Sequence, residues 1–236
     1  MSTPMPTARL RPTLRLIRRQ EGAIESAADI YPARLRIDYP ERLDRLTTLL
    51  RIFWVIPIFI ILVIVVGGGG GATVGDEAER ARTSGPGIVF SLAFATALMI
   101  LFRRRYPRWW FDFQLALARF SYRVAAYVAL LRDEYPSTED EQAVHLDLDY
   151  PDVRRQLNRW LPLVKWLLAI PHFLVLIVLS LVGIAAVVIA WFAILITGRY
   201  PRGLFDYLVG VGRWSLRVQA YAVLMITDRC PPFSLS

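Results

Sequence analysis

Ala33-Arg34-Leu35-Arg36-Ile37-Asp38-Tyr39-Pro40 alternates polar and apolar residues up to a proline, and Ala143-Val144-His145-Leu146-Asp147-Leu148-Asp149-Tyr150-Pro151 does so again. Period-two alternation marks a half-buried strand. In the shared register Arg34 matches His145, Arg36 matches Asp147 and Asp38 matches Asp149. Arginines in one stretch and carboxylates in the other predict that the two strands pair with each other. Two strands alone are marginal, so helices must cover one face.

The landmarks that follow each strand also recur in order. An apolar run with an Ile-Pro step comes first, at Pro57 and at Pro171. An Arg-Tyr-Pro-Arg element follows, at Arg105–Arg108 and at Arg199–Arg202. Then come Arg119-Phe-Ser-Tyr-Arg123-Val and Arg213-Trp-Ser-Leu-Arg217-Val. The chain therefore divides into a polar, arginine-rich segment at 1–30, a first repeat at 31–136 and a second at 137–236.

Composition places these repeats in a membrane. Of 236 residues, 55% are hydrophobic and mean hydropathy is +0.40, too apolar for an ordinary soluble domain of this length. The net charge of +8 sits beside the apolar runs and forms no separate basic domain. That distribution argues for anionic headgroups as the partner and against nucleic acid. Lys165 is the sole lysine; the other cations are arginines, whose planar fork suits phosphate. Cys230 is the sole cysteine, which excludes an internal disulfide and a thiolate metal cluster. Residues 1–20 hold five arginines and no apolar core, so no cleaved signal peptide is expected.

The spacing of the landmarks predicts a turn inside each apolar run. Tyr106 lies 49 positions after Pro57, whereas Tyr200 lies 29 after Pro171, so the first half carries 20 more. The extra residues, Gly67–Gly71 and a charged stretch holding Asp76, Glu77 and Arg80, cannot sit mid-helix in hydrocarbon. They predict a helical hairpin in the first half and, by analogy, a turn near Val182-Gly183 in the second. A single helix from Pro162 to Thr197 would be about 54 Å long, beyond a core of about 30 Å.

Residues 109–132 and 203–227 read as amphipathic helices. Asp112, Arg119 and Arg123 share one narrow arc, as do Asp206, Arg213 and Arg217. An arginine at the bilayer centre costs about 2.5–3.5 kcal/mol, so these helices are expected in the interface, with tryptophans and tyrosines at headgroup level. The fold class is then mainly α and integral to the membrane: two tandem repeats, each of strand, transmembrane helical hairpin and interfacial amphipathic helix, with a small cytoplasmic β element. Two crossings per repeat put the arginine clusters on one side. The positive-inside rule makes that side cytoplasmic, together with both termini of a multi-pass protein of the inner (plasma) membrane.

The chain resembles a family known as domain of unknown function 4389, found in bacterial membrane proteins. The likeness rests on Tyr31-Pro32-x-Arg-Leu-x-x-Asp-Tyr-Pro, Trp166-Leu-Leu-Ala-Ile-Pro-His172, Gly198-Arg-Tyr-Pro-Arg-Gly-Leu-Phe-Asp206 and Asp228-Arg-Cys-Pro-Pro-Phe233, over residues 31–234. Cys230 stands where Tyr135 predicts a tyrosine, and Ile58 replaces His172 in the first half. The resemblance implies no activity.

Candidate chemistry is sparse. Gly67–Gly71 lacks the Lys-Ser/Thr and strand-to-helix context of a phosphate loop. Ser91, Thr96, Ser180 and Thr197 have no base nearby in sequence. His172 reads as a helix-boundary hydrogen bonder more readily than as a ligand, since metal sites gather several donors. No catalytic, metal or cofactor residue is expected. Arg105, Arg108, Arg119, Arg123, Arg199, Arg202, Arg213 and Arg217 are the candidates for contact with lipid or a partner. The expected function is a non-catalytic membrane scaffold or accessory subunit engaging a membrane-protein partner, a second copy of itself or lipid. A small oligomeric transporter or channel is the alternative, and a lipid-modifying enzyme a weaker third.

Overall fold

A computed structural model describes residues 31–51, 88–137, 142–153 and 157–235. Among these the chain is mostly helical with one small sheet. In order it forms β1 (Ala33–Ile37), α1 (Ile88–Leu98) running into a π-helical turn (Met99–Arg103), α2 (Arg108–Val128), β2 (Val144–Leu148), α3 (Pro162–Thr197) and α4 (Arg202–Ala222). Residues 45–51 are also helical. The N-terminal segment, the first apolar run beyond Arg51 and the glycine-rich insert lie outside the described residues.

The two strands pair antiparallel, with Leu35 opposite Leu146, Arg34 opposite Asp147 and Arg36 opposite His145. Alternation decides the faces. Ala33, Leu35, Val144, Leu146 and Leu148 are buried, while Arg34, Arg36, His145 and Asp147 look outward. The outward face carries an ion pair of Arg34 with Asp149 at 2.8 Å and a contact of His145 Nε2 with Asp38 at 3.4 Å. Such exposed pairs contribute little stability. The apolar face does more, with a fully buried leucine worth about 2 kcal/mol. It is covered by α4 against β1 and by α2 against β2. The cover that two strands require is therefore supplied by the amphipathic helices themselves.

α3 corrects the expected hairpin in the second half. Residues 162–197 form one continuous 36-residue helix that ends on Gly198 at φ 71°. A turn needs backbone groups released to polar partners, and Val182-Gly183-Ile184-Ala185-Ala186 offers no polar side chain to take them. A lone glycine costs a helix only about 1 kcal/mol. Gly183 serves close packing: a Cβ there would stand 3.3 Å from Leu208 Cδ2 on α4. Pro171 is also carried within the helix. The even number of crossings on which the cytoplasmic placement of both termini rested does not follow from a single α3.

α3 buries only a seam. Lys165, Ala169, His172, Leu176, Gly183, Ala186 and Ala190 are covered, at spacings of three and four residues or their sum. That is the period of a packed helix pair, and small side chains let backbones approach closely. The remaining perimeter is apolar and open, with Leu167, Leu174, Ile177, Leu181 and Ile184 each more than half exposed. Among the described residues α3 is the one helix long and apolar enough to cross a membrane.

Candidate functional site

The Arg-Tyr-Pro-Arg elements form the turns into α2 and α4, and the two Asp-Tyr-Pro tyrosines lock onto them. Tyr39 Oη donates to the Tyr200 carbonyl, and Tyr150 Oη donates to the Tyr106 carbonyl. Each contact joins one half of the chain to the other. The Arg202 guanidinium lies 5.0 Å from the centre of the Tyr39 ring, and that of Arg108 lies 5.3 Å from Tyr150. Phe205 meets Tyr39 edge-on at 5.0 Å, as Phe111 meets Tyr150 at 5.3 Å. The turn tyrosines point inward: Tyr106 Oη is 3.0 Å from the Leu224 carbonyl and Tyr200 Oη 3.2 Å from that of Ala129. Burial pushes both phenols above their ordinary range.

The helix arginines are likewise turned to the protein. Arg119 Nε donates to the Leu146 carbonyl at 2.9 Å, with Asp147 at 3.1 Å, and Arg213 Nε donates to the Leu35 carbonyl at 3.0 Å. Arg123 reaches the Ser137 carbonyl at 2.6 Å and Arg217 that of Ser234 at 3.5 Å. Burial among these partners, with Arg213 adjacent, lowers the Arg217 pKa from its usual value. Asp112 and Asp206 are exposed and make none of these bonds. Of the eight candidate arginines, Arg108 and Arg202 hold only their tyrosine rings, and Arg105 and Arg199 keep side chains with no hydrogen bond, ion pair or ring contact among the described residues.

Two buried ion pairs escaped the sequence reading. Arg51, 2% exposed, pairs with Asp133, donates to the Tyr127 carbonyl at 3.2 Å and lies 4.5 Å from the Tyr127 ring centre. Lys165, fully buried, pairs with Asp228 at 2.8 Å, donates to the Thr227 carbonyl at 2.7 Å and lies 5.2 Å from the Tyr221 ring. The signal was present: a lone cation six residues before each Ile-Pro proline, and an aspartate after each amphipathic helix. A carbonyl and a ring face add to each carboxylate, as a buried cation requires.

His172 makes a hydrogen-bond contact, but within a helix and not at its boundary. It sits inside α3, stacked 4.1 Å from the Phe233 ring and edge-on to Trp214 at 6.1 Å, with Nε2 3.5 Å from Cys230 Sγ. Among the described residues no three His, Cys, Asp or Glu side chains gather as a metal site would need.

The open chemistry lies at the first Arg-Tyr-Pro-Arg turn. A cleft of about 610 Å³ is lined by Met99, Arg103, Arg104, Arg105 and Arg108 on one side and by Tyr150 to Val153 on the other. Four guanidinium groups face one carboxylate, Asp152, which has its own partner. Arg104 holds a left-handed backbone, φ 48° and ψ 40°. That conformation costs a residue with a Cβ roughly 1–2 kcal/mol. The turn at the end of α3 has the same conformation on Gly198, which holds it without that penalty.

No curated protein and no solved structure matches the chain. The family model described as a domain of unknown function, DUF4389, matches residues 160–234. The match takes in α3, α4 and the closing segment, with Lys165, His172 and Asp228, and leaves residues 31–159 outside, a shorter span than the resemblance covered. Residues 160–234 are therefore similar to this family of unknown function.

Proposed function

We propose that the chain is an integral membrane protein of two structural repeats. In this reading it serves as a non-catalytic scaffold or accessory subunit that engages a protein partner or lipid at the cytoplasmic face. The observation that carries it is the use made of the recurring polar residues. Tyr39, Tyr150, Arg108, Arg202, Arg119 and Arg213 each contact the opposite half. They join the halves by matching contacts, and so serve assembly of the unit. α3 supports the membrane reading. Its open apolar perimeter would be costly in water and costs nothing against acyl chains. The arginine-rich turn supports a cytoplasmic surface by the positive-inside rule. Affinity purification in mild detergent followed by mass spectrometry tests the proposal. A stoichiometric protein partner supports it, whereas a homo-oligomer that passes ions in liposomes overturns it.

One observation favours a second reading, a small oligomeric transporter or channel. Lys165 and His172 lie on the buried seam of an otherwise apolar helix, and ionisable groups in such a place often mark a solute path. Solute flux abolished by Lys165→Met in a correctly folded variant would select it.

A further inference from the structure

The two halves part company at one turn. Arg103-Arg104-Arg105 in the first corresponds to Thr197-Gly198-Arg199 in the second, and the backbone is left-handed at both central residues. Glycine takes that conformation freely; an arginine holds it under strain. Positive φ also occurs at Leu130 and Met225, just past α2 and α4. There both halves use a buried apolar residue, so the shape of the cap accounts for the cost. No such account covers Arg104, because Gly198 forms the same turn without a side chain. Strain kept where a cheaper residue is compatible with the fold points to work done by the side chain.

What that side chain joins is a concentration of positive charge. Arg103, Arg104, Arg105 and Arg108 line the cleft of about 610 Å³, a size usual for small-ligand sites. The Arg103, Arg104 and Arg105 guanidinium groups form no hydrogen bond or ion pair among the described residues, and all three residues are exposed. Arg108 is positioned by its stacking on Tyr150. Adjacent like charges repel until an anion neutralises them, and planar guanidinium groups bind phosphate oxygens in pairs. At the second turn Gly198 supplies no charge, and Arg45 stands 3.5 Å from where a side chain would begin, its Nη2 bonded to the Ile196 carbonyl.

We infer that the cleft formed by Arg103, Arg104, Arg105 and Arg108 binds a phosphate-bearing anion, and that the corresponding turn of the second half does not. The inference rests on the membrane reading above and narrows its lipid or ligand contact to one of the two Arg-Tyr-Pro-Arg elements. The same chemistry serves a lipid phosphate headgroup and a soluble phosphate.

The test uses the full chain in mild detergent and in phosphatidylcholine nanodiscs. One arm titrates inorganic phosphate, and the other adds phosphatidic acid to the nanodisc lipid; thermal stability and direct binding are read in both. Binding in the lipid arm alone assigns a headgroup, and binding of inorganic phosphate assigns a soluble ligand; either supports the site. Arg104→Gly, which copies the second turn and relieves the strained backbone, should lower affinity at least tenfold with no loss of thermal stability. The combined Arg103→Gln and Arg105→Gln variant should abolish binding, and Arg199→Gln should leave it within twofold. Wild-type affinity in Arg104→Gly, equal loss in Arg199→Gln, or no binding of either probe overturns the inference. A wild-type chain that binds neither probe yet retains a stoichiometric partner loses this site and keeps the scaffold reading. One that binds phosphate and retains no partner does the reverse.

Discussion

Leu35 lies directly opposite Leu146 in the sheet, and the carbonyl of each accepts the Nε–H of an arginine from the other half of the chain, Arg213 at 3.0 Å and Arg119 at 2.9 Å. The two strands are thereby held to two helices as well as to each other. Each charged donor satisfies a strand-edge carbonyl that lies beneath the amphipathic helix.

Arg119→Gln and Arg213→Gln should each destabilise the protein by about 1.5–3 kcal/mol, the usual worth of a hydrogen bond to a charged group. Because both act on one sheet, the double variant should depart from additivity. Melting temperatures in detergent, read by circular dichroism for the four members of the cycle, check this. Unchanged melting in both single variants would mean the bonds are incidental.

Lys165→Met leaves Asp228 beside a neutral side chain and should cost about 3–5 kcal/mol, as removal of one buried partner does. Lys165→Arg should cost much less, since Arg51 fills the matching role against Asp133. Expression level and thermal unfolding of the two variants separate the outcomes.

Arg104→Gly should raise stability by roughly 1–2 kcal/mol through relief of the left-handed backbone. The measurement is the melting temperature in zwitterionic detergent without phosphate, where no anion rewards the arginine.

Gly210→Ala should loosen the end of the chain. A Cβ at 210 would stand 2.7 Å from the Leu235 carbonyl oxygen and 2.9 Å from its Cβ, so the closing segment must move off α4. Faster proteolysis after Pro232, with α4 intact, is the expected readout.

Alkali should unfold the protein cooperatively. Burial raises the phenols of Tyr31, Tyr106, Tyr122 and Tyr200 above their usual value near 10. A group whose pKa is higher folded than unfolded contributes stability that is complete below the unfolded value and is lost as pH rises past it toward the folded one. Stability should therefore hold to about pH 9.5 and fall steeply above 10, with tyrosinate absorbance at 295 nm appearing together with loss of tertiary signal. Full tyrosinate absorbance reached before unfolding, beyond the share of exposed tyrosines such as Tyr135, would show these four phenols to be open to solvent.

The strands, their pairing and the amphipathic helices were legible because each follows from a period: two for β1 and β2, near 3.6 for α2 and α4. The turn expected near Gly183 was inferred from an insert in the other half, and local sequence gave it no support. Where every side chain from Val182 to Ala186 is apolar or absent, helix propagation wins. The reading of Arg119, Arg123, Arg213 and Arg217 as contacts for lipid or a partner came from a helix wheel, which gives the direction of a polar stripe and not the identity of its neighbour. Here the stripes meet strand and loop carbonyls. The ion pairs of Arg51 and Lys165 were hidden because their aspartates lie 82 and 63 residues further on, at Asp133 and Asp228.

The order of residues alone determined that two alternating stretches form paired strands, that residues 108–128 and 202–222 form amphipathic helices, and that the run at 162–197 is apolar and long enough for a membrane. Those properties are periodic or compositional, so they are visible without contacts. Tertiary structure decided which half each tyrosine and arginine would serve, that α3 is unbroken, and that Arg103, Arg104, Arg105 and Arg108 line one cleft with Tyr150 and Asp152. These depend on close approach between residues far apart in the chain, and on a backbone angle at Arg104 that a linear pattern does not encode.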